Sequence, residues 1–330
     1  MIKYSVAFLF IAVCLGSLSA QTENYPVAGK IVCIDPGHGG TSETDQYRVG
    51  PGGEREEWIN LRVALLLRDL LEEAGAKVLM TRTEDVFIPL EERSRLAVDG
   101  GADVFISIHH NATADKQVNF PIIYFHGSAL ENQASVKLGG LVAKELKRRL
   151  FNAQSPVSLV SDFTIFPKSG TNVLRSTYGI PAVIGEASFF SHPKEEKRLK
   201  RRAYNKKEAR AYFEALNRFF GMEDIPAIKD KIGPFEIPAF EVFQEADRMR
   251  PEALEWKANY EEGKNLAELG GPVSYDSAYD LLTLSAKSFP DSYVARLCHG
   301  LRAMILEARG EKEKAETEAR RVEAFYVIID

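Results

Sequence analysis

The sequence predicts an α/β fold: a mainly parallel sheet with helices on both faces, followed by a small α-helical C-terminal region. Short apolar runs of strand length alternate with longer stretches in which leucine and alanine recur at helical spacing. Several apolar runs end on glycine, histidine or glutamate, as strands do where they meet a functional rim. Composition then shifts near Gly221, where prolines enter and strand signals stop.

Taken in order, Lys30 to Ile34 is an apolar run closed by Asp35-Pro36-Gly37, a buried strand entering a glycine-rich turn. A polar loop follows to about Gly53. From Glu56 to Ala74 the spacing of Leu61, Ala64, Leu65 and Leu71 predicts a helix, which Gly75 stops. Ala76–Thr81 reads as the next strand and Leu90–Val98 as the next helix. Val104–Ile108 is another buried strand, ending at His109. The alternation continues with a strand over Phe120–Phe125, a helix over Glu131–Phe151, a strand over Pro181–Gly185 and a helix over Pro193–Phe220. Strands alternating with helices of this length build a sheet covered on both faces, with ligands bound beyond the carboxyl ends of the strands.

The first twenty residues carry Lys3, an apolar run from Val6 to Leu15 and the small residues Ser17-Leu18-Ser19-Ala20, the layout of a signal peptide cleaved after Ala20. The run is shorter than the roughly 20 residues a spanning helix needs. No later stretch is apolar enough, so the expected mature protein has no membrane span and is periplasmic or extracellular. A net charge of -5 argues against nucleic acid as a partner. Cys33 and Cys298 survive cleavage and read as buried apolar residues rather than a disulfide framework or a metal pair. The expected organisation is a leader over 1–20, a catalytic domain over 28–221, a proline-bearing linker over 222–240 and a helical region over 241–330. In that last region Ala278, Leu282, Pro290 and Gly300 fall at tetratricopeptide spacing, although Ala315 comes late. A repeat unit that binds a protein partner and a plain helical hairpin packed on the main domain are both open.

Two histidines follow buried strands: His38 in Asp35-Pro36-Gly37-His38-Gly39-Gly40, and His109 in Ser107-Ile108-His109-His110-Asn111-Ala112. Neighbouring parallel strands would bring both imidazoles to one rim, where they could share a metal ion. The turn at His38 lacks both the spacing of a dinucleotide fingerprint and the lysine of a P-loop. A third ligand is sought among Glu54, Glu56 and Glu57, at the start of the first long helix; patterning alone does not choose between them, and helix N-termini favour acids in any case. Two imidazoles and one carboxylate suit zinc in a hydrolytic site, which lowers the pKa of water to about 7. Glu186, at the carboxyl end of the Pro181–Gly185 strand, is the candidate proton carrier, with an ion pair to Arg175 as its structural alternative.

These segments, together with Glu56-Glu57-Trp58-Ile59-Asn60-Leu61 and Pro181-Ala182-Val183-Ile184-Gly185-Glu186, resemble the zinc-dependent N-acetylmuramoyl-L-alanine amidases of cell division and spore-wall remodelling. The resemblance runs from about Lys30 to Phe220 and includes Thr81-Arg82, Leu90-Glu91-Glu92-Arg93 and Val173-Leu174-Arg175. It implies His38, Glu56 and His109 as ligands of one zinc ion, Glu186 as catalytic acid/base, and peptidoglycan as substrate. A zinc peptidase acting on cross-links, or a wall-binding protein without activity, shares the same features. His110 departs from the family pattern, which has a small residue there, and should not share the metal; His126 lies where the family has no ligand. Asn111 reads as a loop cap, and Lys194–Lys207 as a solvated helix face. The short stretch from Ala112 to Phe120 implies that no inserted inhibitory helix covers the site.

Overall fold

The structure, a computed structural model, describes residues 25–40, 48–226, 228, 237–248 and 250–329; the leader and part of the linker expected from the sequence lie outside them. β1 (Ile31–Pro36) forms from the first apolar run, and α1 (Glu56–Glu73) follows it, stopped by Gly75 at φ 84°. Then come β2 (Lys77–Met80), α2 (Leu90–Asp99), β3 (Val104–Asn111), β4 (Ile122–Phe125) and α3 (Gln133–Leu150). β5 (Ser158–Ser161), α4 (Asn172–Ser176) and β6 (Ala182–Phe189) complete the next stretch.

The expected single helix over Pro193–Phe220 is two helices, α5 (Pro193–Leu199) and α6 (Arg202–Phe220). Neither glycine nor proline marks the break. Instead the carbonyl of Leu199 accepts from Arg62 Nη2 at 3.1 Å and from Asn205 Nδ2 at 2.9 Å, so side chains take the bond that would have continued the helix.

Beyond residue 241 the chain is helical as expected: the one-turn α7 (Glu245–Arg248) and α8 (Pro251–Leu254), then α9 (Trp256–Leu269), α10 (Pro272–Ser288), α11 (Ala295–Ala308) and α12 (Lys312–Phe325). It ends in a strand the sequence did not suggest, β7 (Tyr326–Val327).

Among the described residues the strands make one sheet in the order β2-β1-β3-β6-β4-β5-β7. β2, β1, β3 and β6 are mutually parallel, which puts the ends of β1, β3 and β6 at one rim. β4 runs antiparallel to β6, and β7 antiparallel to β5, so the sheet is mainly but not wholly parallel. Alternation divides its side chains. Val32, Ile34, Ile106, Ile108 and Val183 face α1, α3 and α6, whereas Cys33, Phe105, Ile122, Tyr124 and Ile184 face the other way.

That second face is covered largely by the C-terminal helices, through Trp256, Leu282, Phe289 and Cys298. Phe120 stacks within 5.9 Å of Phe289 and 5.3 Å of Tyr293, knitting the two parts of the chain into one core. The helical region is therefore packed on the sheet. Cys33 and Cys298 are buried and free, and burial pushes each thiol up to about 12.

Candidate metal and catalytic site

At the end of β1 the backbone N–H of Gly37 still donates to Ile108 O of β3, 2.9 Å away, so the turn begins while pairing persists. His38 then adopts φ 59°, left-handed backbone that a non-glycine residue holds only under constraint. Two buried arginines supply it. Arg93 donates from Nη2 to His38 O at 2.7 Å and from Nη1 to Pro36 O and Asp35 Oδ1. Arg82 donates to the carbonyls of Pro36, Gly37 and Glu57 at 2.8 to 2.9 Å, tying the turn to the start of α1. A side chain at Gly37 has no room, because a Cβ there would lie 2.2 Å from the His109 ring.

Asp35 underlies this turn. It accepts from the Thr81 and Ser107 hydroxyls at 2.6 and 2.7 Å and pairs with Arg93 at 2.8 Å. Burial alone would raise its pKa, but the guanidinium and the two hydroxyls outweigh it and hold the carboxyl below its ordinary value.

On β3 the residues alternate, so Phe105, Ser107 and His109 share one face and His110 takes the other. His109 reaches Glu56 Oε1 through Nδ1 at 3.0 Å, and His38 reaches the same oxygen through Nε2 at 3.2 Å. The ligand-capable atoms of His38, Glu56 and His109 all lie within 4.8 Å of one another. Tetrahedral zinc with ligands at about 2.0–2.2 Å separates neighbouring donors by roughly 3.3–3.6 Å; the two separations to Glu56, 3.0 and 3.2 Å, are close to this, and two imidazoles with one carboxylate are a donor set such an ion accepts.

Of the three glutamates that sequence left open, Glu56 is the one brought to the histidines. Glu57 turns into the protein to pair with Arg55, and Glu54 pairs with Arg62 at 2.7 Å. Glu56 is 2 % exposed, and burial pulls its pKa up, yet the neighbouring imidazoles hold it well below the carboxylate range. Burial in turn lowers the pKa of His109, against the pull of Glu56, which favours the neutral imidazole that binds a cation.

Four supporting residues had no role in the sequence reading. Arg48, in the polar loop, donates to Glu56 Oε2 at 3.0 Å. Asn60, one turn along α1 from Glu56, donates to Glu56 Oε1 and Gly37 O. Its position four residues after the candidate acid was a usable signal. Arg82 and Arg93 lay in segments that resembled the family, but a buried arginine clamping carbonyls leaves no pattern of its own.

The remaining candidates separate cleanly. His110 points away from the cluster, with Nδ1 2.8 Å from Asn60 Oδ1 and Nε2 3.1 Å from Glu208 Oε2. His126 sits beside Asp162, which also accepts from Thr171. Arg175 donates to the carbonyls of Ser169 and Gly170, so it holds that loop. Asn111 caps its own loop by accepting from Ala112 N at 2.8 Å. In the 194–207 segment the basic side chains face outward, but Glu195 and Glu196 are buried, so the face is not uniformly solvated.

Glu186 lies on β6 directly opposite His109 in the register, on the same face of the sheet. It lines a cavity of about 570 Å³ together with His38, Glu56 and His109, and Phe243 and Arg248 from the C-terminal region line the same cavity.

A family model described as N-acetylmuramoyl-L-alanine amidase matches residues 32–218. The germination-specific N-acetylmuramoyl-L-alanine amidase of Bacillus subtilis (strain 168) is 30% identical over 209 residues, covering 59% of this chain and 81% of that protein. The crystal structure of an N-acetylmuramoyl-L-alanine amidase from Clostridium difficile 630 superposes with a TM-score of 0.52 at 25% identity, over 59% of this chain and 99% of that one. The CwlD amidase of Clostridioides difficile, solved in complex with the GerS lipoprotein, gives a TM-score of 0.50 at 26% identity, over 58% of this chain and 98% of that one. With its family match spanning more than half of its length and ending just before the C-terminal helices, this chain belongs to the N-acetylmuramoyl-L-alanine amidase family.

Proposed function

We propose that this protein is a zinc-dependent amidase that hydrolyses the bond between N-acetylmuramic acid and L-alanine in peptidoglycan during wall remodelling or daughter-cell separation. The observation that carries the reading is the convergence of His38, Glu56 and His109 in one cavity with Glu186. A zinc ion held by the three supplies Lewis acidity toward the amide carbonyl and makes water acidic enough to attack near neutral pH. Glu186, facing the same cavity, takes the proton from the attacking water on a carboxylate oxygen and returns it to the departing alanine nitrogen. Arg48 and Asn60 hold the Glu56 carboxylate in place, and the Arg82 and Arg93 clamps fix His38.

The reading includes export by the leader at 1–20 and action in the periplasm or outside the cell. No helix among the described residues is long and apolar enough to cross a membrane. The β3–β4 connection holds no helix, which supports an enzyme free of an inserted inhibitory segment. A protein partner is part of the same proposal, and the GerS complex of the CwlD relative supports it; the C-terminal helices, which lie outside the part shared with CwlD, are the surface we propose for it.

The test is digestion of purified sacculi with mass spectrometry of the products. Intact glycan strands with free stem peptides are expected, and shortened peptides would mark a peptidase instead. Glu186→Ala should lower release by about 10²–10⁴-fold while zinc content stays near one per chain. His38→Ala should lose both, and retained cleavage in either variant would overturn the assignment.

A further inference from the structure

The C-terminal helices do more than cover the sheet. At the rim of the second face, Phe243, Gln244 and Arg248 form a wall of the cavity that holds Glu186. The segment is anchored: Phe243 N donates to Lys287 O of α10 at 2.9 Å, and Arg248 Nε donates back to Phe243 O at 3.3 Å. Behind Arg248 lies Asp291, fully buried, 3.4 Å from its Nη1 and also accepting from the Tyr124 hydroxyl of β4. Tyr124 is held above its ordinary pKa by burial and by the charges of Asp291 and Glu186, and Arg248 opposes them, so these four groups share one electrostatic neighbourhood. The Arg248 side chain retains 19% exposure and lines the cavity. Among the described residues its Nη2 makes no hydrogen bond.

A planar cation braced from behind by a buried carboxylate, with a face toward the reacting centre, is a receptor for a carboxylate. The other arginine of the cavity, Arg48, is committed to Glu56. In the substrate class argued above, the residue next to L-alanine is a γ-linked D-glutamate whose α-carboxylate is free in some walls and amidated in others. We propose that Arg248 is a specificity-determining residue, contributed by the C-terminal region, that binds this stem-peptide carboxylate and makes the enzyme prefer the acid over the amide. The inference rests on the amidase reading.

The experiment compares two soluble substrates, N-acetylmuramoyl-L-alanyl-γ-D-glutamyl-L-lysine and its isoglutaminyl counterpart, with full-length zinc-loaded enzyme. The measured quantity is the ratio of their kcat/KM values, which does not depend on how much of a variant is folded. Wild type should prefer the acid by about tenfold or more, largely through KM. Arg248→Gln should bring the ratio close to one, and Arg248→Lys should keep part of the preference. A wild-type ratio near one, or variants that slow both substrates equally, would overturn the inference and assign Arg248 to bracing the wall. Cleavage of neither substrate would instead remove the amidase reading, and the inference with it.

Discussion

A single methyl group at Gly37 would stand against the ring of His109, and the φ of 59° at His38 leaves the turn little freedom to yield. Gly37→Ala should therefore weaken zinc binding by tenfold or more while the fold persists, as read by competition with a chelator of known affinity and by circular dichroism. Asp35 acts on stability. Its carboxyl is held below the ordinary value of 3.8, so the stability it confers is complete above that pH and is lost as pH falls through the lower folded value. Replacing it with asparagine leaves Arg93 buried without its charge partner, at a cost of about 3–5 kcal/mol. Urea denaturation should give that gap near pH 7 and show it closing below pH 4. At this scale the sequence was legible where an ionisable residue follows an apolar run, as at His38, His109 and Glu186, which the fold brings to one cavity. It was not legible between Glu56 and Glu57, because both are buried and acidic and differ only in which way the first turn of α1 presents them.

The turn before α1 is held by a helix far along the chain. Glu196 of α5 accepts from Gly52 N at 2.7 Å and from Glu54 N at 2.9 Å, at the point where the chain turns into the helix that carries Glu56. Glu196→Ala leaves those donors without a charged acceptor and should destabilise the protein by roughly 2–3 kcal/mol, with a loss of zinc affinity that Glu196→Gln partly restores. Isothermal titration of the metal and thermal melts would measure both. The same elements explain what could be read in advance. β1, β3 and β6 begin as the apolar runs predict, but β3 continues to Asn111 and β6 to Phe189, so His109 and Glu186 lie within strands and not just after them. Ser158-Leu159-Val160-Ser161 is too short and too polar at its ends to announce β5, and β7 is shorter still. Their strand character comes from neighbours supplied by the fold, as does the break between α5 and α6.

Across the whole molecule, the second face of the sheet depends on residues beyond Gly221. Phe120 and Phe189 lie within the aromatic cluster completed by Trp256, Phe289 and Tyr293. Exposing these two phenylalanines forfeits roughly 3–6 kcal/mol, a large part of the net stability of an ordinary domain, about 5–15 kcal/mol. A chain truncated after Gly221 should aggregate or lose cooperative unfolding, and it would also lack the wall that Arg248 provides. A soluble truncated protein with native-like melting would contradict this.

The pairing of Val160 with Tyr326 carries a kinetic consequence. The outer edge of β5 is closed by a strand from the opposite end of the chain, a contact of very long sequence separation whose loop-closure entropy must be met before the pairing returns any stability. Refolding should thus end on a slow step in which β7 docks. Until then β5 presents an open edge able to recruit another strand, so a newly made chain would pass through an aggregation-sensitive interval that ends only when α12 and β7 arrive.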